Sequence, residues 1–177
     1  MLRIHTKFLS LFVLMLSSMQ ASAFEIDGRR WPTGEIEFYV ALDGTAASGI
    51  SWHAAFIAAM NDWNDETAFN FILRENYRDP CLIDGLNSAG FTDNLCGSEF
   101  GKNTLAVTVQ NFKSAVLGEP TIAESDIVIN QNIEFNVYDG RLMQFGIKGL
   151  DFRRMALHEL GHVIGLDHET SSVASMA

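Results

Sequence analysis

His158-Glu159-Leu160-Gly161-His162-Val163-Ile164-Gly165-Leu166-Asp167-His168 is the stretch from which the fold of this chain can be worked out. It has the pattern H-E-x-x-H-x-x-G-x-x-H. His158 and His162 are four residues apart, so on a helix they stand one turn apart on the same face. Their imidazoles can then converge on one ion. For a third histidine to join them the helix must stop and the chain must swing back. Gly165 supplies that break, because glycine adopts positive φ without a steric cost. His168 completes a three-nitrogen set with a fourth position open, the arrangement of a catalytic zinc site. Glu159 directly follows the first ligand, within reach of a water at that open position, where a general base would act. The short H-E-x-x-H pattern arises by chance in roughly 2% of chains this long, and requiring Gly165 and His168 lowers this below roughly one in ten thousand. An amphipathic helix with incidental surface histidines is the ordinary reading that this rarity sets aside.

Working outward, Asp151 is placed to cap the helix, and Phe152, Met155, Ala156 and Leu160 recur at the spacing that packs on a sheet. Glu35-Ile36-Glu37-Phe38-Tyr39-Val40 alternates as a half-buried strand does. Trp52, Phe56, Ala59, Met60 and Trp63 mark a second helix, capped by Ser51 or Ser48, with Asn61, Asp62, Asn64 and Asp65 facing away at its weaker end. His53 on that helix reads as a surface histidine rather than a ligand. Short strands are expected over residues 69–73, 104–109 and within 122–130, the last with Ile127 and Ile129 alternating against Val128. Residues 76–103 read as a long irregular loop, and 136–149 as a glycine-dotted connection.

The chain has 177 residues and suits one domain behind a leader. Arg3 and Lys7, an apolar run from Phe8 to Leu16 broken only by Ser10, and Ala21-Ser22-Ala23 give residues 1–23 the form of a signal peptide. That run is short for a membrane span, and an uncleaved anchor is the alternative. The mature chain would begin near Phe24, carry no membrane span and be exported, extracellular or periplasmic. Without Arg3 and Lys7 the ten remaining basic residues face 22 acidic ones, a net charge of about −12. Such a surface argues against nucleic acid and anionic lipid as partners. Cys81 and Cys96 are the only cysteines, an even count that suggests one disulfide in an exported chain. Two free thiols, or one thiolate reaching the metal, are the alternatives.

Taken together these features resemble a metzincin zinc endopeptidase, and within that clan the matrixin (matrix-metalloproteinase) type. The resemblance covers most of residues 31–177. It rests on Trp31-Pro32 and the strand through Tyr39, on Ala59-Met60-Asn61-Asp62-Trp63 before Phe69 and Phe71, on Ser125-Asp126-Ile127-Val128-Ile129, on the run from Asp151 to Leu157, and on the histidine motif. Met176 stands eight residues after His168, where matrixins place the methionine turn that floors the zinc imidazoles. The resemblance implies an α/β fold: a twisted, mostly parallel sheet with a backing helix and an active-site zinc helix. It implies one catalytic Zn2+ on His158, His162 and His168, Glu159 as general base, and a protein or peptide substrate paired to the strand near Ile127 to Asn130.

The chain also departs from that pattern. Glu169 stands where matrixins usually carry serine, as astacin-like sequences do. No propeptide follows the leader, residues 76–103 lack the histidines of a structural zinc site, and calcium stays unassigned. The chain ends one residue after Met176, so the peptidase domain, residues 24–177, is expected to be incomplete at its C-terminus. A monomer is expected. Two further functions fit the same residues: an exported zinc-binding module without turnover, and a non-peptidase zinc hydrolase such as an amidase.

Overall fold

The computed structural model describes residues 24–26, 28–114, 120–138 and 149–168. The expected leader, Glu169 and the methionine-turn residue Met176 lie outside the described residues, as does most of the 136–149 connection.

Strand β2 (Glu35–Val40) turns Ile36, Phe38 and Val40 into the core and leaves Glu35 and Glu37 in water, as its alternation requires. Helix α1 (Trp52–Glu66) follows, its first turn capped by Ser51, whose hydroxyl accepts from the Ala54 N–H at 3.1 Å. The helix buries Ala55, Phe56, Ala59 and Met60, and Phe56 lies parallel to Phe38 with centroids 6.1 Å apart. It returns the chain to β3 (Asn70–Arg74), parallel to β2. The polar end of α1 does more than face solvent. Asn64 accepts from the Phe71 N–H at 2.7 Å and donates to the Phe71 carbonyl at 3.1 Å, tying the helix to β3. Of β3 itself only Phe71 is fully buried.

The stretch 76–103 is not all loop. Asn87-Ser88-Ala89-Gly90-Phe91-Thr92 forms β4 (Asn87–Thr92), inserted parallel between β2 and β6 (Thr121–Asn130). Its first two residues hold their place by polar bonds in the interior. Asn87 donates to the Glu37 carbonyl at 2.9 Å and accepts from the Ser125 N–H at 2.9 Å, while Ser88 donates to Asp126 from both N–H and hydroxyl. The rest of the stretch is pinned by the Cys81–Cys96 disulfide, which settles the pairing of the two cysteines. Closing a loop of 15 residues restricts the unfolded chain by about 3 kcal/mol in the chain-entropy account.

Strand β5 (Ala106–Lys113) runs antiparallel to β6, and the sheet order is β3-β2-β4-β6-β5. The α/β class and mostly parallel sheet are therefore present. One expectation needs correction. Strand β6 has β4 on one side and β5 on the other, so its edges are both used and it cannot pair with a substrate. The free edge on that side of the sheet belongs to β5.

A short parallel pairing of β7 (Phe135–Asn136) with β8 (Leu150–Asp151) delivers the chain to α2 (Phe152–Val163). Asp151 caps α2, accepting from the Arg153 N–H at 3.1 Å. Phe152, Met155, Ala156, Leu160 and Val163 are buried against the sheet and α1. Burying a large apolar side chain contributes about 1.5–3 kcal/mol. Arg153 grips both oxygens of Asp62 at 2.7 and 3.0 Å, and the Trp63 indole donates to the Leu157 carbonyl at 2.9 Å, so α1 fixes α2 in position. After α2, β9 (Leu166–His168) pairs antiparallel with β1 (Phe24–Ile26). No helix among the described residues is long and apolar enough to cross a membrane.

Candidate metal centre

Helix α2 ends where the third histidine needs it to end. Gly165 has φ +96°, and a Cβ there would lie 2.6 Å from the Arg29 carbonyl oxygen, so both the turn and the close approach demand glycine. The last carbonyls of a helix have no partner within it. Here two side chains from far along the chain supply donors: the Trp31 indole to the Val163 carbonyl at 2.7 Å and the Gln110 amide to the His162 carbonyl at 2.7 Å.

The break brings the three histidines together. Nε2 of His158 lies 3.0 Å from Nε2 of His168 and 3.1 Å from that of His162, and the His162–His168 pair is 3.2 Å apart. Nδ1 of His162 is 2.7 Å from the Leu166 carbonyl oxygen. A carbonyl only accepts, so Nδ1 carries the proton and Nε2 presents a lone pair to the cluster. His158 is pushed down to about 4 by burial, with His162 and His168 adding to the effect, so its ring is neutral at pH 7. Three imidazoles with converging nitrogens form a donor set for one cation. They are the only group among the described residues that could hold a metal ion. His53 stands apart on α1, half-buried, 3.4 Å from Glu75.

Glu159 shares the cleft. It is buried, and an open cavity of about 330 Å³ is lined by it together with Thr108, Gln110, His162, His168 and Arg29. Burial raises its pKa, and the Thr108 hydroxyl opposes that rise by donating to Oε2 at 2.6 Å. Thr108 and Gln110 are two apart on β5 and so project from one face of it. One holds the carboxylate of α2 and the other the carbonyl end of the same helix. Neither was expected from the sequence. The signal that could have found them is a polar pair at i and i+2, on one face of a strand whose other face carries Val107 and Val109.

The sequence-expected residues thus divide cleanly. His158, His162, His168, Glu159 and Gly165 meet at one place. Cys81 and Cys96 are bonded to each other, which leaves no thiolate for the histidine cluster. No protein-family model matches the chain, and no curated protein matches it.

Proposed function

We propose that this protein is a secreted zinc-dependent endopeptidase of the metzincin type. The observation that carries the reading is the buried Glu159 carboxylate in a cleft lined by His162 and His168, two of the three converging imidazoles. A site that only stored metal would gain nothing from a carboxylate buried beside its ligands and held in place by Thr108. Three imidazoles with room for a further ligand suit zinc.

His158, His162 and His168 would hold the metal. When bound, zinc supplies a Lewis acid that polarises the scissile carbonyl and acidifies water. Glu159 takes the proton of the attacking water on its carboxylate and hands it to the leaving amine nitrogen. Thr108 occupies Oε2, which leaves Oε1 for that proton. The Leu166 carbonyl fixes the His162 tautomer so that its Nε2 stays a donor of electrons. The free edge of β5 borders the cleft through Ala106, Val107 and Thr108, and an extended peptide pairs with that edge by backbone hydrogen bonds. Export is supported by the disulfide, which belongs to an oxidising compartment, and by the basic, apolar and Ala-x-Ala pattern of residues 1–23.

Metal analysis combined with cleavage of an unfolded protein tests the reading. The full chain is expected to hold about one zinc and to cut internal peptide bonds, with both lost in His162→Ala. Full zinc content in His162→Ala overturns the ligand set. Bound zinc with no cleavage of any unfolded protein replaces the peptidase reading with a binding module. Hydrolysis confined to small amides replaces it with an amidase.

A further inference from the structure

The sheet reverses its direction of growth between β2 and β4. From β2 the chain passes through α1 to β3 on one side, and β4 and β6 are then laid down on the other. At such a switch the connections diverge and leave a crevice beyond the carboxyl ends of the strands, a favoured place for ligands. Here the crevice is an open cavity of about 400 Å³, within the size range of small-ligand sites. Its walls include Leu42 and Asp43 after β2, Trp52 at the start of α1, Tyr77, Phe91 of β4 and Phe135 of β7. It shares no residue with the histidine cleft.

Four aromatic rings from four segments line this space. Three of them are held from behind by one buried ring, Phe152. Phe91 stacks on it at 5.7 Å, Phe135 meets it edge-on at 5.6 Å, and Trp52 lies tilted against it at 5.1 Å. All three line the cavity. Tyr77 is 59% exposed and forms the rim. Trp52 also differs from the other two tryptophans. The Trp31 and Trp63 N–H groups each donate to a backbone carbonyl, and no such bond ties Trp52 among the described residues. The one carboxylate of the lining, Asp43, is exposed and has neither a hydrogen bond nor an ion pair among the described residues.

We propose that this crevice is a binding site for a compact organic cation, a methylated ammonium or the charged head of a basic side chain. Aromatic faces attract a cation through their quadrupole, and the attraction grows as the site sheds water. Asp43 supplies the opposite charge. A neutral ligand of the same shape would gain the aromatic contact but leave Asp43 to be desolvated without a partner. The acidic chain, with a net charge of −10, adds long-range attraction for a cation. This inference does not rest on the metal reading.

The test is a titration of the full chain with choline, followed by tryptophan fluorescence and calorimetry. Its comparison is 3,3-dimethylbutan-1-ol, which has carbon in place of the charged nitrogen. Saturable choline binding is expected, at least about tenfold tighter than the alcohol. Asp43→Asn and Tyr77→Ala should each weaken it about fivefold or more, Tyr77→Phe should not, and His162→Ala should leave it unchanged. Both altered residues are exposed, and unchanged melting curves would show that the variants are folded. Acetyl-arginine amide and acetyl-lysine amide identify the source: tighter binding than choline points to a basic side chain of a polypeptide, weaker binding to a free methylated ammonium. Equal binding of choline and the alcohol, unchanged affinity in both Asp43→Asn and Tyr77→Ala, or no saturation by any of the three cations overturns the proposal.

Discussion

Two carboxylates in this protein are built alike and sit on opposite faces of the sheet. Glu159 faces the cleft, where a threonine hydroxyl donates to it at 2.6 Å. Asp126, on β6, lies under the disulfide-bearing stretch, where the Ser88 hydroxyl donates to it at 2.7 Å and the Ser88 N–H at 2.9 Å. Both are nearly inaccessible, and burial raises the pKa of both, that of Asp126 to about 7. What separates them is the company they keep. Glu159 opens onto a cavity that His162 and His168 also line. Asp126 has Glu124 and Asp84 as its charged neighbours, and both push its pKa further up. A perturbed carboxylate with a hydroxyl partner is thus not a sign of catalysis by itself. In the proposed reading, the open space and the imidazoles that line it make the difference.

The sharpest way to break this comparison is to remove each carboxyl group and ask what is lost. Glu159→Gln keeps the shape and removes the base. We expect kcat/KM for peptide cleavage to fall by on the order of 10³-fold while zinc content stays near one per chain. Activity near the wild-type value would return Glu159 to the same standing as Asp126. Asp126→Asn should leave cleavage within about twofold at pH 7.

A smaller effect sharpens the role of the hydroxyl. Thr108→Val keeps the size and loses the donor, so the Glu159 carboxylate is no longer held. A drop of about tenfold in kcat with little change in KM is expected, and Thr108→Ser should restore most of it. If Val and Ser variants behave alike, the hydroxyl does not position the base.

The smallest effect is on stability, and its sign follows from the direction of the shift. The pKa of Asp126 is raised in the folded state, so its contribution is fully present below the unfolded value near 3.9 and is lost as pH rises through about 7. Much of that loss occurs below pH 5.5, and the part that remains above it is on the order of 2 kcal/mol. The melting temperature of Asp126→Asn should therefore gain on the wild type between pH 5.5 and 8.5 by roughly 3–6 °C. A constant difference across that range would mean that Asp126 is ionised throughout.

How much of this was legible in the sequence depends on how local the cause is. The convergence of the three histidines, the Asp151 cap, the glycine break and the α1 stripe of Phe56, Ala59, Met60 and Trp63 are decided by short-range geometry, and the structure has each of them in place. Strand β4 was not legible in this way, because Asn87 and Ser88 are buried by bonds to Glu37, Ser125 and Asp126 rather than by apolar character. The helix-facing role of Thr108 and Gln110 was hidden for the same reason, since their partners lie 51 and 52 residues away. The strand expected to pair with a substrate is flanked on both sides, which an Ile-rich run could not reveal: it shows that a strand is buried but not which neighbours flank it.

The bond from the Trp31 indole to the Val163 carbonyl spans 132 residues, nearly the whole described chain. With it go the Gln110 bond to α2 and the pairing of β1 with β9. Contacts of such sequence separation form slowly, because the loop must close before they return any stability. On a chain that emerges from its N-terminus, β2, α1 and β3 can pair early, but the turn that gathers the three histidines cannot be secured until residue 168 is present. The order of synthesis thus acts as a timer: the framework of β2, α1 and β3 can assemble before the histidine cluster closes.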